Sequence, residues 1–505
     1  MRLCVRLDGG MPRRWHLRLL ERLARRPGLS VCVDARPGPG VLPVNAALLF
    51  GLEALLRRLP RDGPSAPLTP AERDALPPEG QDPPDLILDL CGDAEAGTGT
   101  PVWRLRYDGA GGEASLLASL LAGRTPVVTL SDGEHILASG RVGTEARGVM
   151  LTAFEDALVR TMSLILASLG GAGPRLVDGS TFAREVPASA WSALDLGARA
   201  ARLGSRMVAR RLLDLCTRAP HWRIGWRRLT GPDVIDLRAH PEGGWRTLAD
   251  DGRRYYADPF PVAHAGGTML FVEEYGYAHD KGLISAVPLG PDGPIGTPVP
   301  VLEAAHHLSY PFVFEVDGTH WMVPESGTTG TVDLYRATAF PGGWVKEATL
   351  LSGLSASDPT LLRQDGRWWL FASVRDDGER DGPFAAWGSY SDALHLWSAP
   401  DFRGPWTPHP ANPVLIDVAS ARSGGRIVAR GGALFRPVQD CRDGYGSALG
   451  LARIERLDAE GYRQHVETIL RPGPSFPGTG LHSLNRSADF EFIDGAGRVP
   501  RRLRP

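Results

Sequence analysis

Four carboxylates, Asp258, Glu273, Glu325 and Asp358, stand at matched points of a phrase that the sequence repeats. Paired carboxyls suit glycosidic-bond chemistry: one gives or takes a proton, the other attacks or steadies an oxocarbenium-like state. Tyr256-Ala-Asp-Pro-Phe-Pro-Val precedes Thr268-Met-Leu-Phe-Val-Glu-Glu, and Ser309-Tyr-Pro-Phe-Val-Phe precedes Thr319-His-Trp-Met-Val-Pro-Glu. Ser357-Asp-Pro-Thr-Leu-Leu then precedes Arg367-Trp-Trp-Leu-Phe-Ala-Ser. The expected catalytic set is Glu325 as acid, Asp258 as base or nucleophile and Asp358 as orienting partner. Glu273, His307, Arg422, Arg426, Gln439, Asp440 and His482 are the expected substrate-binding residues. Clustered carboxylates repel, so raised pKa values are expected unless the arginines neutralise them. Those arginines suit a phosphate or carboxylate on the ligand. No metal and no cofactor is expected.

The repeat says what must position these groups. Its anchoring prolines are Pro259, Pro311 and Pro359, a period of about 50 residues that marks the blades of a β-propeller. In each blade the first strand lines the axis and the second runs antiparallel to it. First-strand starts and second-strand ends therefore share one rim. Five blades are expected over residues 220–497. His221 to Arg227 should pair beside the last strands and close the ring. The longer fourth blade is built from Gly424-Gly-Arg-Ile-Val, Ala433 to Asp440 and Ser447 to Ile454, and the fifth is fed by His482 to Ile493.

Other readings compete. Asp-Pro is a common turn dipeptide, so Asp258 and Asp358 could cap turns through Asx hydrogen bonds. Trp321, Trp368, Trp369, Trp387, Trp397 and Trp406 could stack on sugar rings, but mid-strand placement suits packing between blades.

Residues 1–170 alternate strand and helix patterns. Leu3 to Leu7, Leu29 to Val33, Asp85 to Leu90, Val102 to Tyr107, Pro126 to Leu130 and Ile136 to Val142 read as strands. Trp15 to Leu23, Leu48 to Leu59, Ala114 to Leu121 and Gly148 to Leu169 read as helices, which together imply an open α/β sheet. Asp8-Gly-Gly after the first strand could cradle a phosphate or be an ordinary turn. Residues 171–219 hold a linker and then a basic amphipathic helix from Ser192 to Arg218. Such a helix can lie on an anionic membrane or bridge two domains with a solvated arginine face, so peripheral membrane contact is left open. Residues 498–505 form a basic tail.

With 505 residues, two or three domains are expected. A net charge of -2 points away from nucleic acid. Lys281 and Lys346 are the only lysines. Cys4, Cys32, Cys91, Cys216 and Cys441 are scattered without a CxxC pair, which suits a reducing compartment. Residues 1–8 lack a signal-peptide h-region, so a cytoplasmic location is expected. No apolar run reaches about 18 residues, so no membrane-spanning segment is expected. The oligomeric state is not legible.

Tyr256-Ala-Asp-Pro-Phe, His307-Leu-Ser-Tyr-Pro-Phe-Val-Phe, Met322-Val-Pro-Glu-Ser, Ala421-Arg-Ser-Gly-Gly-Arg and Gln439-Asp-Cys with Tyr445-Gly resemble one module. It is the N-terminal domain of glucosamine inositolphosphorylceramide transferase, and the resemblance spans roughly residues 220–495. In the plant enzyme a separate glycosyltransferase domain follows, so the resemblance does not by itself carry over transferase activity. The module is similar in turn to five-bladed glycosidases of the arabinanase and fructosidase type. Their acidic set is an Asp opening blade one, an Asp opening blade three and a Glu opening blade four. Asp258 and Asp358 match the first two, whereas Arg422 and Arg426 open blade four here. The N-terminal part resembles a formyltransferase-like α/β domain, chiefly over residues 85–145. Its only histidines, His16 and His135, match no motif of that family's Asn, His and Asp set. A degenerate or repurposed domain is expected.

Three functions follow as expectations for a sugar or sugar-phosphate ligand. The first is a glycosyl-transferring enzyme of surface glycan or glycolipid biosynthesis. The second is a non-catalytic carbohydrate-binding propeller. The third is a glycoside hydrolase using Asp258 and Glu325.

Overall fold

A computed structural model describes residues 1–38, 42, 44–80, 82–95, 99–171, 173–176, 193–264, 267–375 and 387–501. Most of the expected linker, residues 177–190, and the end of the basic tail lie outside the described residues. The chain divides into two compact units. One is Met1–Gly204 with Gly382–Ser389 and Leu415–Asp417; the other is the remainder.

The first unit holds one open sheet. Strands Arg2–Arg6, Ser30–Asp34, Leu86–Asp89 and Val102–Tyr107 pair in parallel, with Arg2–Arg6 between Ser30–Asp34 and Leu86–Asp89. Val127–Asp132 and His135–Arg141 extend the sheet antiparallel. Helix Arg14–Ala24 connects the first strand to the second and helix Val44–Arg57 lies between the second and the third, whereas no helix among the described residues lies between Leu86–Asp89 and Val102–Tyr107. Strand residues Leu3, Val5, Leu88 and Leu105 meet Phe154, Leu158 and Ile165 of helix Met150–Leu169 in one core. That helix is buried along nearly its whole length.

Among the described residues the second unit contains five separate sheets, four built on strands that follow one another in sequence and the fifth joining the last strands to the earliest, and they are the blades of a propeller. Blade one begins with Arg254–His264 and Gly267–Gly276, blade two with Ser309–Val316 and Thr319–Glu325. Blade three begins with Ala356–Gln364 and Arg367–Val374, blade four with Val428–Arg430 and Ala433–Asp440. In blade five Gly480–Arg486 pairs with Phe490–Pro500, which pairs with Thr217–Arg228 from the start of the unit. The earliest strand thus closes the ring. Trp321 and Trp397 are buried in the core that blades one to three share, with Trp368 and Trp406 packed against it.

Blade four departs from the expected pattern. Its regular first strand is only Val428–Arg430, not the stretch from Gly424. The Gly424 carbonyl accepts the Leu484 N–H of blade five at 2.7 Å. Gly425 has φ +138, and a Cβ there would lie 2.1 Å from the Leu484 carbonyl oxygen. Only glycine permits this approach. Among the described residues, no helix is long and apolar enough to cross a membrane.

Candidate functional site

The repeat aims its acids by a shared backbone device. Register shifts separate Ala257 from Phe260, Ser309 from Phe312 and Ser357 from Thr360. Asp258, Tyr310 and Asp358 occupy these bulges with φ of 49, 43 and 52°. A non-glycine residue in this region costs roughly 1–3 kcal/mol and persists only where surrounding structure holds it. Each bulge turns one side chain out of the strand alternation. Blade five has the same irregularity between Leu481 and Leu484, and it presents His482.

Asp258 sits at the head of one buried chain of contacts. Its own N–H donates to Asp494 Oδ2 at 2.8 Å, and its Oδ2 accepts the Tyr310 N–H at 3.1 Å. His482 bridges the two acids, with Nδ1 2.5 Å from Asp494 Oδ1 and Nε2 3.6 Å from Asp258 Oδ1. The imidazole stacks on Trp222 with centroids 3.9 Å apart. Burial opposes its charge, but Asp494 and then Asp258 outweigh that and push His482 up to about 9. Burial pushes Asp258 up to about 7, with His482 pulling down and Asp494 and Asp358 adding repulsion. Asp258, His482 and Asp494 could also hold a cation, their ligand atoms lying within 4.8 Å of one another. As an imidazolium, His482 supplies positive charge to the two carboxylates itself.

Asp358 anchors the second chain. Its Oδ2 accepts from Arg422 Nε at 2.6 Å and from Gln439 Nε2 at 2.8 Å. Its backbone N–H donates to Glu325 Oε2 at 2.9 Å, and Arg422 Nη2 lies 3.6 Å from the same oxygen. Burial pushes Asp358 up to about 7; Arg422 counters this and Glu325 adds to it. The Arg422 guanidinium lies 4.7 Å over the ring of Tyr445, which is 47% exposed. Gln439 spends both amide hydrogens, on Asp358 and on the Ser423 carbonyl, and its buried Oε1 has no protein partner.

Glu273 joins the two chains electrostatically. Burial first, then the charges of Asp258, Glu325, Asp494 and Asp358, push it well above the usual carboxylate range. His307 Nε2 lies 3.5 Å from its Oε1, while His307 Nδ1 accepts the Gly282 N–H at 2.9 Å. That acceptor role fixes the neutral tautomer with hydrogen on Nε2, facing Glu273. Burial lowers the pKa of His307, which keeps the ring neutral.

The structure therefore brings together Asp258, Glu273, Glu325, Asp358, His307, Arg422, Gln439 and His482. It does not bring Asp440 or Arg426 to them. Asp440 follows Gln439 on one strand and points the other way, pairing with Arg442 at 2.7 Å. Arg426 donates to the Val313 carbonyl and lies over Phe312 at 4.7 Å, among apolar side chains. Sequence reasoning missed Asp494, because blade five was read only to Ile493. Asp494 lies mid-strand in Phe490–Pro500, opposite the bulge between Leu481 and Leu484 and one place before the position that Glu273 and Glu325 hold in their blades, so the repeat gave no signal for it. Tyr310 was missed because a phenol in the Asp-Pro position reads as packing.

Residues 249–475 match the family model described as glucosamine inositolphosphorylceramide transferase 1, N-terminal. Glucosamine inositolphosphorylceramide transferase 1 of Oryza sativa subsp. japonica is 34% identical over 235 residues, 46% of this chain and 29% of that protein. The Arabidopsis thaliana protein of the same name is 34% identical over 213 residues, 42% of this chain and 27% of its own length. The chain thus spans less than a third of these curated relatives, and the likeness falls on the propeller. Zg3597, a family 117 glycoside hydrolase of Zobellia galactanivorans, shares 15% identity over 54% of this chain and 90% of its own, with a TM-score of 0.35. CoXyl43, a GH43 β-xylosidase/α-arabinofuranosidase from a compost metagenome, shares 13% over 49% and 91%, also with 0.35.

Proposed function

We propose that the propeller carries out glycosyl transfer in surface glycan or glycolipid biosynthesis, with its site at the buried carboxylate cluster. One observation carries this reading. Asp258 faces an imidazolium while Glu273, nearby, is held protonated by burial and like charge. Burial raises both, but His482 holds Asp258 to about 7 while Glu273 goes well above the usual carboxylate range, and of two carboxyls so separated the lower is the base and the higher the acid. An acceptor hydroxyl gives its proton to Asp258 as its oxygen bonds to the anomeric carbon. The bond from that carbon to the leaving oxygen breaks, and that oxygen takes the Glu273 proton. Asp358, clamped by Arg422 and Gln439, orients the sugar, and the open Oε1 of Gln439 accepts a sugar hydroxyl. Glu325, the acid expected from sequence, already accepts the Asp358 N–H, which suits a supporting acceptor beside the reacting pair. Relatives named as transferases, matched over less than a third of their length, support a part in glycosyl transfer.

Arg422 stands where the glycosidase pattern has a glutamate, which favours transfer over hydrolysis. The α/β unit is proposed to be a degenerate formyltransferase-like domain, and the location to be cytoplasmic, as scattered cysteines suit. The test offers the whole chain a panel of nucleotide-activated and lipid-phosphate-linked sugars and follows the released leaving group. Turnover lost in both Asp258→Asn and Glu273→Gln supports the proposal. Binding of saccharide without turnover of any donor replaces it with the binding-module reading. Release of free reducing sugar in water replaces it with hydrolysis.

A further inference from the structure

The helix Ala193–Cys216 runs straight into the ring-closing strand Thr217–Arg228. Its C-terminal end is tied to the last strand: Arg498 Nη1 donates to Thr217 Oγ1 at 2.7 Å and lies 3.4 Å from Asp214. The Arg501 N–H donates to the Cys216 carbonyl at 2.8 Å. This end is therefore fixed to the propeller rather than loosely hung from it.

Its apolar face is in solvent. Val208, Leu212 and Leu215 are spaced four and three residues apart, so they form one stripe. They are 61, 59 and 68% exposed. Exposed single leucines are ordinary, but three in register on one helix face are a contiguous patch that calls for an occupant. The rest of the helix is basic: Arg199, Arg202, Arg206, Arg210 and Arg211 stand against Asp195 and Asp214. Arg206, Arg210 and Arg211 are exposed, Arg211 at the edge of the stripe and the other two on the polar side. Arg210 lies 3.9 Å from Asp214, a loose pair that leaves the guanidinium 75% exposed.

Here stripe and charges are both exposed. We propose that the helix Ala193–Cys216 lies on an anionic lipid bilayer, with Val208, Leu212 and Leu215 in the headgroup–acyl boundary and the arginines on lipid phosphates. An apolar stripe with arginine on the polar face is the pattern of an interfacial helix, and long arginine stems reach sideways to the phosphate level. The excess of arginine supplies the charge complementarity that a neutral protein partner would not need. The rigid link to the propeller keeps that unit at the membrane surface. The proposal stands whether or not the propeller transfers sugar.

The test is flotation of the whole chain with vesicles of phosphatidylcholine alone and of phosphatidylcholine with phosphatidylserine. The expected result is binding at least tenfold tighter to the anionic vesicles, weakened by added salt. Val208→Ser/Leu212→Ser/Leu215→Ser and Arg206→Gln/Arg210→Gln/Arg211→Gln should each weaken it at least tenfold. All six positions are exposed, so circular dichroism and sedimentation should show both variants folded. Equal affinity for both vesicle types, no flotation, or undiminished flotation of the apolar variant would overturn the proposal. So would a concentration-dependent dimer that the apolar variant abolishes, since a second copy would then cover the stripe.

Discussion

Arg422→Gln tests the clamp on Asp358. Arg422 is buried and lies 2.6 Å from Asp358 and 3.6 Å from Glu325. Removing one partner of a buried pair costs about 3–5 kcal/mol, because the other charge is left uncompensated. The sign with pH follows from Asp358. Burial pushes its folded pKa up to about 7 even with Arg422 present, against about 4 in the unfolded chain. The folded state thus keeps a proton that the unfolded chain releases, and the Asp358 contribution to stability falls as pH rises from about 4 to 7. Without Arg422 the folded pKa climbs further and the fall continues to higher pH. The full penalty should appear at pH 8. At pH 5, where Asp358 is protonated in both proteins, it should shrink toward the roughly 1 kcal/mol of a lost hydrogen bond. Urea unfolding followed by tryptophan fluorescence measures this at both pH values. Adding Asp358→Asn to Arg422→Gln should recover most of the loss at pH 8, as coupled neighbours do. Equal penalties at pH 5 and 8, or a double variant that costs the sum of the singles, would refute the clamp.

Asp258→Asn and Glu273→Gln should each lower turnover of an activated sugar at least about 100-fold, the usual worth of a general acid or base, with circular dichroism unchanged. Glu325→Gln should cost less than Glu273→Gln; the reverse order would return the acid to Glu325. His482 is raised to about 9, so its contribution to stability is complete below about pH 6.5 and is lost as pH rises through 9. Histidine NMR of the whole chain, assigned with His482→Gln, should show a resonance titrating near that value, and Asp494→Asn should move it down. In the α/β unit burial, then Arg13, pushes His16 down to about 3. The stability that this neutral histidine preserves should be lost as pH falls from about 6.5 to 3. His16→Gln should flatten that acid limb of the unfolding curve. The chain should form no formylated product from a folate donor, and mass spectrometry of the reaction would reveal one.

The propeller was legible because a local signal repeats. Each Pro-led strand, Gly/Asp turn and aromatic strand is short-range information, and a period of about 50 residues admits few architectures. The strand–helix alternation of residues 1–170 was legible for the same reason, down to Val102–Tyr107, whose observed ends are the expected ones. Closure by the earliest strand could also be inferred, since an unpaired edge needs a partner. What the sequence could not decide is where a side chain goes once blades surround it. Gln439 and Asp440 are adjacent and equally polar, yet the pleat sends one to Asp358 and the other to Arg442. Arg422 and Arg426 read as equivalent, but the close approach at Gly425 separates them, one onto a carboxylate and one onto Phe312. Protonation was the least legible property. The charge on His482 and the proton on Glu273 depend on burial and on carboxylates far away in sequence. The Asp494 contact is local to the blade-five hairpin, but Asp258 and Asp358 reach His482 from other blades, and low dielectric surrounds the acids only once the ring closes.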